Sequence, residues 1–198
     1  AHTVPVMVDT ARRAVAELAA SQHRAFTRTQ AAELKFDHRR IATAIADGWL
    51  VEPRKGVLAI TDGAPLTWEQ RLSVLLLATR GRGAASHRTA ARLHELDGFD
   101  APINATLEIS VCNDIRFRPA MTAVVHHVTP FESCDLRTVN GFPCVSRERT
   151  LGELGSVVAD DRWVQRALTS ARRSGLDLAV TRATTERLHR PGQSGTGT

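Results

Sequence analysis

Residues 21–60, SQHRAFTRTQAAELKFDHRRIATAIADGWLVEPRKGVLAI, contain two short helical patterns followed by two apolar runs around a turn. Thr27 or Thr29 can cap a helix through Gln30, Ala31, Ala32, Glu33 and Leu34, because a threonine oxygen accepts from one of the free amides at a helix start. The chain then turns at Lys35 and Phe36. Asp37 is the next cap, and the segment that follows it places Ile41, Ala42 and Ile45 on one face of a second helix, which Gly48 ends. Trp49-Leu50-Val51 and Val57-Leu58-Ala59-Ile60 flank a Glu-Pro-Arg-Lys-Gly tip, the pattern of a β hairpin. Upstream, Asp9 or Thr10 opens a helix in which Ala14, Val15, Leu18 and Ala19 repeat at helical spacing and serve packing.

Helix, tight turn, helix and hairpin in this order predict a winged helix-turn-helix over residues 9–62. In such a fold the second helix enters the DNA major groove, with residues near its start facing base edges. Asp37, His38, Arg39, Arg40 and Thr43 occupy those positions. Arginine bonds a guanine edge with two parallel hydrogen bonds or holds a phosphate, and either role suits Arg39 and Arg40. Arg54 and Lys55 at the hairpin tip, with Arg24, Arg28 and Thr29 before and on the first of the two helices, are expected to contact the DNA backbone.

The whole chain has 198 residues, 42% apolar and 24% charged, the balance of a globular protein with one sizeable core or two small ones. Residues 1–63 hold nine basic and seven acidic side chains against 17 and 14 in the remainder, so the net charge of +5 is spread along the chain and adds little to the DNA-binding reading. Cys112, Cys134 and Cys144 fit neither a zinc ribbon nor a disulfide framework and are expected to be reduced. No secretory leader opens the chain, and its longest apolar run, Val74 to Ala78, is too short to cross a bilayer. A cytoplasmic protein is expected.

Asp62-Gly63-Ala64-Pro65 marks a break, and Thr67-Trp68-Glu69-Gln70 is a capping-box start for a helix to about Thr79. A second domain is therefore expected over residues 64–190, an α/β unit with a small sheet flanked by helices, which makes the chain α+β. After Gly81-Arg82-Gly83, Ser86 is expected to cap a helix containing His87, Arg88, Leu93 and Leu96. Ser86 and His87 are adjacent, and side chains one apart on a helix do not face each other. Three strands are expected: Ala105 to Val111 with Leu107, Ile109 and Val111 on one face, Met121 to Val128, and Phe142 to Val145. His126 and His127 alternate across a strand and cannot chelate one metal as neighbours. Ser146 and Asp160 or Asp161 cap two further helices, and a last one is expected from Asp177 to His189. Residues 191–198 have linker composition. No Ser/His/Asp set, metal quartet or phosphate-cradling glycine loop stands out, so neither an enzyme nor a cofactor is expected.

These landmarks together resemble the AbiEi family of type IV toxin-antitoxin antitoxins and their actinobacterial relatives. The resemblance rests on Gly48-Trp49-Leu50, Lys55-Gly56-Val57, Ala85 to His94, Asn140 to Ser146, and Arg149 to Leu154, and extends from about residue 10 to 190. It implies a transcriptional regulator whose N-terminal domain binds operator DNA, often at inverted repeats near its own promoter and as an oligomer on DNA. It also implies a nucleotidyltransferase-like toxin as partner of the C-terminal domain. Two positions depart from the family pattern: Leu58 stands where a wing tyrosine is usual, and Lys35-Phe36-Asp37 replaces a glycine-rich turn. A related arrangement places the same front part before a very-short-patch-repair-like endonuclease domain, making this chain the recognition half of such a nuclease. The Glu33-Leu34-Lys35 triplet is no substitute for that domain, since it lies in a predicted helix with no acidic strand before it.

Overall fold

The structure, a computed structural model, describes residues 10–100 and 105–188. The irregular segment expected over 1–8, Ile103 and the tail expected over 191–198 lie outside the described residues. The chain is mixed α and β with two small sheets, and it divides into two compact units between Ala78 and Thr79.

The first unit runs α1 (Thr10–Ser21), β1 (Ala25–Thr27), α2 (Arg28–Glu33), α3 (His38–Ala46), β2 (Leu50–Arg54), β3 (Val57–Ile60) and α4 (Trp68–Ala78). Thr27 caps α2 in a full capping box: its hydroxyl accepts from the Gln30 amide at 3.1 Å, and the Gln30 side chain accepts from the Thr27 amide at 2.8 Å. Lys35 takes a left-handed φ of +60°, the conformation glycine adopts most readily, so here a lysine makes the left-handed turn after α2. The amides of Lys35 and Phe36 donate to the carbonyls of Ala32 and Ala31 at 3.0 and 2.9 Å, which ties off the free end of α2. Phe36 is thereby driven into a core with Val15, Phe26, Ile41, Leu50, Leu58 and Ile60. Burying each of these large side chains stabilises the unit by about 1.5–3 kcal/mol.

Strand β1 was not foreseen, because three residues are too few to show a period. It pairs antiparallel with β3, which pairs antiparallel with β2, so the hairpin is the larger part of a three-stranded sheet in the order β1-β3-β2. The register of β2 shifts between Val51 and Arg54, at Pro53, which has no amide to give to the ladder. Beyond the turn at Asp62 and Gly63, α4 stays with this unit: Gln70 Nε2 donates to the Ile60 carbonyl at 2.7 Å and Ser73 Oγ to that of Gln22 at 2.8 Å.

The second unit holds β4 (Gly83–Ala85), α5 (His87–Leu93), β5 (Leu107–Cys112), β6 (Ala123–Val128), a 3-10 turn (Ser133–Asp135), β7 (Leu136–Val139), β8 (Phe142–Val145), α6 (Arg147–Val157), α7 (Asp161–Arg173) and α8 (Leu178–Leu188). Its sheet has the order β6-β5-β4-β8-β7, with β5 parallel to β6, β4 parallel to β8 and the other neighbours antiparallel. Five strands replace the expected three. β4, Gly-Ala-Ala, is the central strand: only its first residue, Gly83, belongs to the expected break at Gly81-Arg82-Gly83, and such small residues carry no hydrophobic pattern. All six residues of β5 are buried, so Glu108 and Ser110 are buried as well as Leu107, Ile109 and Val111. A helical layer of α5, α6 and α7 packs through Ala91, Leu96, Leu151, Leu154, Ala167 and Ala171. No helix among the described residues is long and apolar enough to cross a membrane.

Candidate nucleic-acid interface

The Asp37 carboxylate accepts from the Arg40 amide at 3.0 Å and caps α3, which holds its carboxyl below the ordinary range and removes it from the positions available for base reading. Ile41 and Ala44 are the buried residues of α3. At 100° per residue the opposite face presents Arg39, Ala42, Thr43 and Ala46, with His38 and Arg40 to either side, and all six are exposed. The structure separates the two arginines that the sequence left equivalent. Arg40 Nη1 donates to the Lys35 carbonyl at 2.6 Å and braces the turn between the helices. Arg39 points outward, and no hydrogen bond or ion pair engages its side chain among the described residues. Small neighbours at Ala42 and Ala46 leave room beside it.

Arg28, Arg24 and the hairpin residues fall into different roles. The Arg28 guanidinium grips Glu52 of β2 through Nε at 2.8 Å and Nη2 at 2.6 Å. The Gly56 amide donates to the same carboxylate at 2.8 Å, and the Arg28 amide to the Gly56 carbonyl at 2.9 Å. These four bonds fasten the hairpin turn to the start of α2. The bond from Arg28, with the Gly56 amide adding to it, pulls the Glu52 carboxyl down to about 2. Arg24, in a left-handed turn, pairs with Asp62. Thr29 on α2 and Lys55 at the hairpin tip are exposed, while Arg54 is half-buried at the end of β2.

Glu52→Gln is expected to loosen this clasp and lower stability by only about 1 kcal/mol, because solvent screens the partly exposed pair. Because the folded carboxyl titrates below its unfolded value, the contribution is complete above the ordinary carboxylate range. It is lost as pH falls through 4 toward 2. Urea unfolding of both proteins at pH 7 and pH 3 checks this; equal midpoints at pH 7 would refute it.

The second unit contains a buried polar cluster that the sequence did not disclose. Ser86 stands at the N-cap position of α5 yet makes no capping bond; its hydroxyl lies 3.0 Å from His87 Nδ1 instead. The contact arises because His87 has φ +50°, outside helical geometry, so the rule that adjacent helical side chains diverge does not apply there. The parallel register pairs Ser110 with His126 and Glu108 with Val124, which places Glu108, Ser110 and His126 on one side of the sheet. The His87 and His126 rings stack there, centroids 3.6 Å apart and 17° from parallel. Arg88 Nη1 donates to Glu108 Oε1 at 2.6 Å, and Glu153 Oε2 lies 3.6 Å from His87 Nδ1. Arg149 bonds Glu153 at 2.7 Å and Asp135 at 2.9 Å, and Arg187 pairs with Asp135 as well. Burial, with His126 beside it, pushes the His87 imidazole down to about 3, and burial pushes the Glu153 carboxyl up. His127 points away and is exposed, as the strand alternation requires.

No curated protein matches this chain. The crystal structure of the RV2827C protein from Mycobacterium tuberculosis is similar over 96% of this chain and 84% of that one, at 17% identity and a TM-score of 0.48. The family described as transcriptional regulator, AbiEi antitoxin, matches residues 13–61, the stretch that carries every residue of the candidate interface in the first unit, and it is the family that the sequence itself resembles.

Proposed function

We propose that the first unit is a winged helix-turn-helix that binds operator DNA, with α3 in the major groove and the β2–β3 hairpin along the adjacent backbone. The observation that carries this reading is the outward face of α3, where exposed Arg39 stands among Ala42, Thr43 and Ala46 with no ion pair to compete for it. Arg39 then reads a guanine edge, the methyls of Ala42 and Thr43 fit against bases, and His38, Thr29 and Lys55 meet phosphates. Arg40, Arg28 and Arg24 support the interface by holding the inter-helix turn, the hairpin and the strand entry, and any part of a guanidinium still facing outward can touch phosphate. The protein acts as an autorepressor of a toxin-antitoxin operon. The second unit is left for a protein partner, which in the resembled family is a nucleotidyltransferase-like toxin.

The test is fluorescence anisotropy with a duplex from the protein's own upstream region and a scrambled duplex, at two salt concentrations. Preference for the native duplex is expected, with affinity falling with salt at a log-log slope of about −0.9 per phosphate contacted. Arg39→Ala is expected to cost about 1–3 kcal/mol on the native duplex and much less on the scrambled one. Unchanged affinity in that variant would remove Arg39 from base reading. Equal, salt-sensitive binding to both duplexes would replace the regulator by a positioning module.

A further inference from the structure

We propose that His87, Glu108 and His126 form a binding site for one divalent transition-metal ion of the zinc class, which pins the edge strand β6 to α5. Each residue offers one ligand atom, and the three atoms all lie within 4.8 Å of one another. Glu108 Oε2 and His126 Nε2 are 3.6 Å apart, and both are fully buried with no hydrogen-bond partner among the described residues. A carboxylate oxygen and a ring nitrogen that face each other in a buried spot beyond hydrogen-bond reach are satisfied only by the charge of a protonated ring, and a cation between them would serve both atoms with the ring neutral. Their separation is close to the roughly 3.4 Å adopted by two donors about 2.1 Å from a tetrahedral ion.

The atoms that would not touch the ion are already held. Glu108 Oε1 accepts from Arg88, so the carboxylate presents only its second oxygen. His87 Nδ1 faces the Ser86 hydroxyl and Glu153, which leaves Nε2 as its ligand atom and makes Glu153 the carboxylate behind a metal-bound histidine. The left-handed backbone of His87 fixes that ring where an ordinary helix start would turn it away. Burial also keeps the His87 ring in the neutral form a ligand requires. Stacked rings do not aim their lone pairs at a common point, so entry of the ion turns the His126 ring, which is 23% exposed on the edge strand, while His87 stays in place. Two nitrogens and one oxygen suit zinc, cobalt or nickel, whereas calcium and magnesium prefer all-oxygen shells. Water completes the coordination. The two nearby cations are each engaged by a carboxylate, Arg88 by Glu108 and Arg149 by Asp135 and Glu153.

The full chain, stripped with chelator, is titrated with Zn(II) by calorimetry and with Co(II) by visible absorption. One ion per chain and the visible bands of low-symmetry Co(II) are expected, together with a rise in the thermal midpoint as Zn(II) is added. His126→Asn and Glu108→Gln should each weaken binding at least about tenfold. His127→Asn, on the opposite face of β6, should leave it unchanged. Because Glu108→Gln also touches the bond to Arg88, the partly exposed His126→Asn keeps the test decisive if the former misfolds. No bound ion, full binding in a folded His126→Asn protein, or loss of binding in His127→Asn would each overturn the site.

Discussion

Arg149→Met is expected to cost the chain about 3–5 kcal/mol of stability. Arg149 is only 4% exposed, and its two partners, Asp135 and Glu153, are 2% and 10% exposed. Methionine fills most of the volume, so the loss comes from stranding two buried carboxylates rather than from a cavity. The two carboxylates differ in what remains to them. Asp135 keeps its ion pair with Arg187, whereas Glu153 is left with the amide and ring of His87, at 3.3 and 3.6 Å. Glu153 should therefore account for most of the loss, and Glu153→Gln added to Arg149→Met should recover part of it by removing the orphaned charge. Urea unfolding of the wild-type, single and double variants at pH 7 measures this. A loss below 1 kcal/mol in the single variant, or no recovery in the double one, would mean that the network is solvated and not buried as the structure has it.

The second large effect is a loss of stability with acid that begins near pH 6.5. His87 titrates at about 3 in the fold against 6.5 when unfolded, so between these values the unfolded chain binds a proton that the folded chain refuses. Its contribution is complete above pH 6.5 and declines as pH falls, by up to about 1.4 kcal/mol per pH unit and on the order of 3–5 kcal/mol by pH 3.5. His94, held low by burial although its ring nitrogen meets the Val145 carbonyl at 2.8 Å, adds in the same direction. Glu153 works against both: its raised carboxyl favours the folded state at lower pH, and that contribution fades as pH rises through its folded value. Glu108 and Asp135 do not enter until the ordinary carboxylate range, because burial opposes their ionisation but their arginine and histidine partners hold them below it. Comparing His87→Asn with the wild type from pH 7 to pH 5, in chelator, isolates the His87 share as a difference in slope. Parallel curves would show that His87 is protonated inside the fold.

The N-terminal unit was legible because its instructions are local. Thr27 with Gln30, Asp37 at the start of α3, Gly48 after it and the paired apolar runs of the hairpin each act through backbone groups within about four residues. The order of α2, α3 and the hairpin follows from them. Strands β1, β4 and β7 were not legible, since three residues show no period, the Leu-Arg-Thr-Val of β7 lacks the apolar run that marks β3 and β8, and all three gain their place only from the strands beside them. The roles of the basic residues were equally out of reach. Arg28 and Arg39 look alike in sequence, and only the fold brings Glu52, 24 positions away, into the grip of the first and leaves the second outward.

The buried cluster marks the same boundary most sharply. Taken one at a time, Ser86 is a helix cap, His126 a strand residue and Glu153 a helix residue, and nothing near any of them in the chain says otherwise. The parallel register of β5 on β6 and the left-handed turn at His87 bring them together. The sequence by itself determined where helices and the hairpin of the first unit begin and end, because capping and hydrophobic period depend on neighbours in the chain. The tertiary structure alone decided which charges are spent on each other, which are exposed and which polar atoms are left unmet, because these depend on register and burial between segments far apart in the chain.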